Sequence, residues 1–153
     1  MSASDKQRFE LDVFNEFVRI AGLDVEPHSV RQLDPPNPDI SCIIAGEIRI
    51  FELTLVTDET IETKVRLGRS GYSNFKIEIE DVVSLIRKKS TKKYLGEPID
   101  LVIHEGATPI DRLWLYDQSE LNRLVQAETD VSQFVRVWLL DVSNNLVRTF
   151  RKA

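Results

Sequence analysis

The spacing of apolar residues changes along this chain, and each change marks an element. Over residues 3–22 they recur at helical intervals, through Phe9, Val13, Phe17, Ile20 and Ala21, and Gly22 can end the helix. A short strand is expected over 23–30, then a turn-rich loop, QLDPPNP. Apolar runs over 40–44 and 48–56 read as strands. Thr57 or Asp58 can cap a short helix to about Leu67, GRSGYSN reads as a loop, and a long helix is expected over 76–94, closed by Gly96. A strand over 99–104, a helix over 118–128 and strands over 134–142 and 146–151 complete the pattern. These elements predict a mixed sheet with helices on its faces.

The two central strands raise a chemical question. With Ala45-Gly46 at the centre of a hairpin turn, residue 44 pairs with 47, 43 with 48, 41 with 50 and 39 with 52. Asp39 then stands opposite Glu52, with Cβ atoms about 4.5–5.5 Å apart. Two carboxylates that close repel unless a positive charge lies between them. A hard divalent cation supplies one, because Mg²⁺ takes oxygen ligands and is often held by one or two carboxylates. The same register sets Ile43 with Ile48 on the Glu52 face and Ile40 with Phe51 on the other, so both faces are expected to be covered.

The helices add further groups. In the first helix, positions 9, 13, 14, 17, 20 and 21 share one arc, and Glu10 falls near its centre while Asp12 lies outside. A carboxylate within an apolar stripe needs a partner. In the second long helix the inward arc runs through Ile79, Val82, Val83 and Ile86. Lys89 and Lys93 continue it, and Lys88 and Lys92 point elsewhere. Other pairings stay open at this point. Asp39 can be a loop-end carboxylate taking backbone hydrogen bonds, Glu52 a buried partner of Lys89, and Glu10 a partner of Arg49 or Lys93.

Pro38-Asp39, Glu52-Leu53-Thr54 and the helix-borne Glu10 together resemble the PD-(D/E)XK nuclease superfamily. Its pattern is a Pro-Asp at one strand and an acid-X-Lys on the next. The resemblance covers about residues 10–104. It implies an α/β, restriction-endonuclease-like αβββαβ core: a mixed central sheet flanked by helices, here with a C-terminal β extension, in a single domain over 1–153. It also implies hydrolysis of DNA phosphodiester bonds with Mg²⁺ or Mn²⁺. Asp39 and Glu52 would be metal ligands and Glu10 a ligand or water orienter. Thr54 stands where the family has lysine, and Lys89 is the expected replacement, as in members that recruit the lysine from the following helix. Other members have lost activity and persist as binding domains, which implies a protein partner of immunity or inhibitor type as the alternative. Active members often work as homodimers.

Composition narrows the rest. The 153 residues, 42% hydrophobic, suit one domain. The single cysteine, Cys42, excludes an internal disulfide and a cysteine-rich zinc site. His28 and His104, the two histidines, are too few for a histidine-rich metal site and read as structural. GRSGYS lacks the glycine and lysine spacing of a P-loop, and its serines have no evident triad partner. With no charged-then-apolar leader and no apolar run near the ~20 residues of a membrane helix, the expectation is a cytoplasmic protein. Net charge is −5, but residues 64–93 hold nine basic and three acidic side chains, so +6 sits there and −11 on the remainder. A basic patch on an acidic body can hold a phosphate backbone locally.

Overall fold

The computed structural model describes residues 2–56, 77–96, 98–105 and 109–153. The helix expected over 57–67, the GRSGYSN loop and four basic residues of the 64–93 cluster lie outside the described residues; the second long helix, expected from 76, starts at Ile79.

The chain opens with helix α1 (Ala3–Ala21). Ser2 caps it through Asp5 N–H, and Gly22 ends it in the left-handed region at φ 67°, where a residue without Cβ fits best. The short strand β1 (Arg31–Gln32) and strands β2 (Ile40–Ile44) and β3 (Glu47–Leu55) follow. Helix α2 (Ile79–Ser90), strand β4 (Ile99–His104), a 3₁₀ turn (Asp111–Leu115), helix α3 (Gln118–Val131) and strands β5 (Arg136–Asp141) and β6 (Leu146–Arg151) complete the order. The described strands form one six-stranded sheet in the order β1-β2-β3-β4-β5-β6, with β3, β4 and β5 parallel and the outer pairings antiparallel. The protein is therefore α/β, with a mixed sheet between helical layers.

Each face has its own core. Phe14 and Phe17 of α1 pack on Phe51, Leu53, Val102 and Trp138. On the other face Val82 and Ile86 of α2 and Leu121 and Val125 of α3 cover Leu101, Ile103, Val137 and Leu139. β4 is buried along its whole length, as a central parallel strand should be. No helix among the described residues is long and apolar enough to cross a membrane.

The hairpin register is as the turn requires: Ile44 faces Glu47, Ile43 faces Ile48 and Ile40 faces Phe51. Ala45 and Gly46 sit at φ 52° and 77°, both in the left-handed region that a two-residue turn of this hand needs.

Four expectations need correction. The strand over 23–30 is replaced by one bridge from Val25 to Ile44 and by β1 further on. A turn interrupts the run: Ser29 N–H bonds Glu26 O, and His28 takes φ 65°. Ile48 is 67% exposed rather than covered, because β4 begins at Ile99 beside Ile50 and leaves the hairpin tip without a neighbour. α2 stops at Ser90, short of Tyr94. The Thr91 hydroxyl takes Lys88 O, and the Gln133 side-chain amide takes the carbonyls of Ser90 and Lys92, so the last turn is satisfied early. Arg49 does not pair with Glu10; it donates to Asp100 at 2.7 Å.

Candidate functional site

β2 begins at Ile40, so β3 runs past it, and the backbone N–H of Leu53 has no strand partner on that side. The Asp39 carboxylate fills that role, accepting from Leu53 N–H at 2.8 Å. This bond turns Asp39 toward β3 and into side-chain hydrogen-bond contact with Glu52. Glu52 is only 7% exposed and accepts from the Tyr94 hydroxyl at 2.8 Å. Tyr94 is placed by its ring against Phe134, at 6.2 Å, and by Leu95 N–H bonding Pro36 O in the next residue. One short segment after α2 thus holds both the strand that carries Glu52 and the loop before Asp39.

The charges in this arrangement are in tension. Burial first, and then the Asp39 charge, push Glu52 up to about 7. The Tyr94 hydrogen bond and the Lys89 charge oppose that rise and do not cancel it. Near neutrality Glu52 therefore passes between its protonated and ionised forms beside Asp39. Glu10 is also raised, by burial and then by Asp39, with Lys6 and Lys89 pulling the other way. Lys6, one turn earlier on α1, lies 3.8 Å from Glu10. The Tyr94 hydroxyl is pushed up by burial and by Glu52, so it stays a proton donor.

These groups line a cleft of ≈ 1050 Å³ at the carboxyl ends of β3 and β4, the end where open α/β sheets usually bind ligands. Glu10, Asp39, Glu52 and Lys89, the residues named from sequence, all reach it, and Thr54 lies beside them. Lys88 does not line it. Lys92 does, contrary to its helical phase, because the helix has ended at Ser90 and the phase no longer applies. Tyr94 and Lys6 join the cleft without having been singled out, and Phe9, read as part of the apolar arc, and His104, read as structural, line it too. His104 is buried with its ring 6.1 Å from Phe9, and burial lowers its pKa, so it is neutral at pH 7.

A divalent cation fits the donor set in chemistry, since Asp39 and Glu52 offer oxygens only and repel each other without a proton or a cation between them. Among the described residues no three His, Cys, Asp or Glu side chains stand as a ready-made metal cluster. The close pair is Asp39 with Glu52, and Glu10 borders it. Two carboxylates suit Mg²⁺, which keeps several waters and completes its shell with substrate phosphate.

Tyr94→Phe tests the pairing. The change removes one donor and leaves the ring on Phe134. It should cost about 1.5–3 kcal/mol when Glu52 is ionised and about 1 kcal/mol when it is protonated. Thermal melts should therefore show a larger loss at pH 8 than at pH 5, and equal losses would sink the assignment.

Compared with protein-family models, curated proteins and solved structures, the chain shows no match.

Proposed function

We propose that this protein is a divalent-cation-dependent nuclease that hydrolyses phosphodiester bonds of DNA. The observation that carries the reading is the contact between Asp39 and Glu52 in a cleft that also holds Glu10 and is bordered by lysines. Mg²⁺ bound there would polarise the phosphate and lower the pKa of a bound water. The chain's own groups divide the remaining work. Leu53 N–H and the Tyr94 hydroxyl fix the two ligand carboxylates, so little reorganisation is needed when substrate arrives. Glu10, with its raised pKa, is placed to orient a water and take its proton. Lys89, whose charge acts on both Glu10 and Glu52, offsets negative charge on the phosphate and stands in for the lysine absent at Thr54.

The purified protein should nick or degrade DNA with Mg²⁺ or Mn²⁺, and EDTA should stop it. Thr54→Lys restores the family pattern and should improve the rate little if Lys89 already fills the role. No cutting with either metal would end the enzyme reading. One observation favours the alternative, an inactive domain that binds a protein partner. Thr54 is 7% exposed and carries no charge, so the motif strand itself brings no cation to the acids.

A further inference from the structure

The chemistry of the cleft walls bears on which form of nucleic acid enters. Among the described residues four lysines (Lys6, Lys89, Lys92 and Lys93) and four acids (Glu10, Asp39, Glu52 and Glu105) line it, a formally balanced set that a divalent cation would make positive. The lysines come from α1 on one side and from the end of α2 and the segment beyond it on the other, which suits a phosphate chain passing between them.

Phe9 is the unexplained member. The apolar positions that follow it on α1, Val13, Phe14 and Phe17, are buried in the core, yet Phe9 is 38% exposed and borders the cleft. Its ring is not part of the aromatic cluster around Phe51. It leans at 52° on His104, which is itself buried. Pro35 and Pro36 add apolar surface to the same cleft. An exposed aromatic ring beside a buried histidine, one helical turn from a lysine, is the arrangement on which an unstacked base can lie. A base inside a duplex has both faces covered by its neighbours and offers only its edges in the grooves. A single strand, or a strand end that has frayed, can use this ring without the cost of unstacking a duplex base.

We infer that the cleft binds single-stranded DNA in preference to duplex, with one base stacked on Phe9 and its phosphates between Lys6 and the Lys89–Lys93 side. The inference rests on the nucleic-acid reading above and extends it to the substrate's form.

Fluorescence anisotropy with a labelled 12-nucleotide oligothymidylate and with the matching duplex, in Ca²⁺ at low salt, reads this directly. Wild-type protein should bind the single strand more tightly. Phe9→Ala should weaken it roughly 5–150-fold, the range for loss of one base–aromatic stack. Phe9→Trp should retain binding and Phe9→Leu should not, which separates stacking from apolar bulk. Circular dichroism of each variant checks folding, which an exposed position should tolerate. Equal affinity for the duplex, or unchanged binding by Phe9→Ala, overturns the inference. A parallel cleavage assay in Mn²⁺ keeps the two readings apart. Duplex cutting without Phe9-dependent binding removes this inference and leaves the nuclease. Phe9-dependent binding without cutting supports this inference and removes the enzyme.

Discussion

Glu52→Gln should make the protein more stable above pH 7, although it alters a buried residue in the centre of the site. Folding raises the Glu52 carboxyl from its ordinary 4.5 to about 7. The folded protein therefore holds a proton there that the unfolded chain gives up. The stability this contributes is fully present below pH 4.5 and is lost as pH rises through 7. Glutamine keeps the shape, still accepts from the Tyr94 hydroxyl, and can donate to Asp39 as the protonated acid does. It carries no charge at any pH. The variant should match wild type at pH 4.5 and exceed it by about 2–3 kcal/mol at pH 8.5, a shift of roughly 4–12 °C in melting temperature. If the proposed nuclease reading holds, the same substitution should lower Mg²⁺-dependent cutting by about 100-fold or more, because Glu52 would then be a charged ligand. A variant less stable than wild type at pH 8.5 would mean that Lys89 already neutralises the pair, and the site would then need no cation.

The largest loss of stability should come from a residue outside the cleft. Asp100 is completely buried on the α1 face of β4. It accepts from Arg49 at 2.7 Å and from the Trp138 indole N–H at 2.9 Å, and Arg136 stands 3.5 Å away. Asp100→Ala leaves two guanidinium groups facing each other with no counter-charge and the indole without an acceptor. Breaking a buried pair from one side costs about 3–5 kcal/mol. Chemical denaturation should show that loss, or about 6–20 °C in melting temperature. Asp100→Asn can still accept from Trp138, and should fall between the two. Arg49 is 15% exposed and Arg136 23%, so if both can swing into water the loss will be under 1 kcal/mol, and the network would be an incidental ion pair rather than the clamp of the sheet's centre.

What the sequence makes legible here is local. The α1 arc, its stop at Gly22 and the hairpin register all follow from spacing and from one turn, and the register, carried one residue beyond β2 and completed by the Leu53 N–H bond, brings Asp39 to Glu52. Glu10 follows from helical phase, since position 10 lies inside an apolar arc. Lys89 does too, because it is still within α2. Tyr94 does not, because its position depends on where α2 ends. Gln133, far along the chain, makes that end by occupying the last carbonyls, and no periodicity encodes it. Lys92 fails for the same reason. The Arg49–Asp100 pair joins β3 to β4 through a parallel register that the intervening segment leaves open in the sequence. Phe9 was legible as apolar but not as exposed. Helical phase gives direction around an axis, whereas exposure depends on whether the sheet extends far enough to cover that turn.

The proposed site requires Glu52, beside Asp39, to give up its proton to a divalent cation. Calorimetric titration of Mn²⁺ into wild-type protein and Glu52→Gln at pH 8 tests it most directly. Wild-type protein should show one site, with proton release that grows as the buffer is taken down toward pH 7, and the variant no such site. Wild-type protein that takes up no cation at millimolar Mn²⁺, or a Glu52→Gln variant that binds it equally well, would contradict the claim.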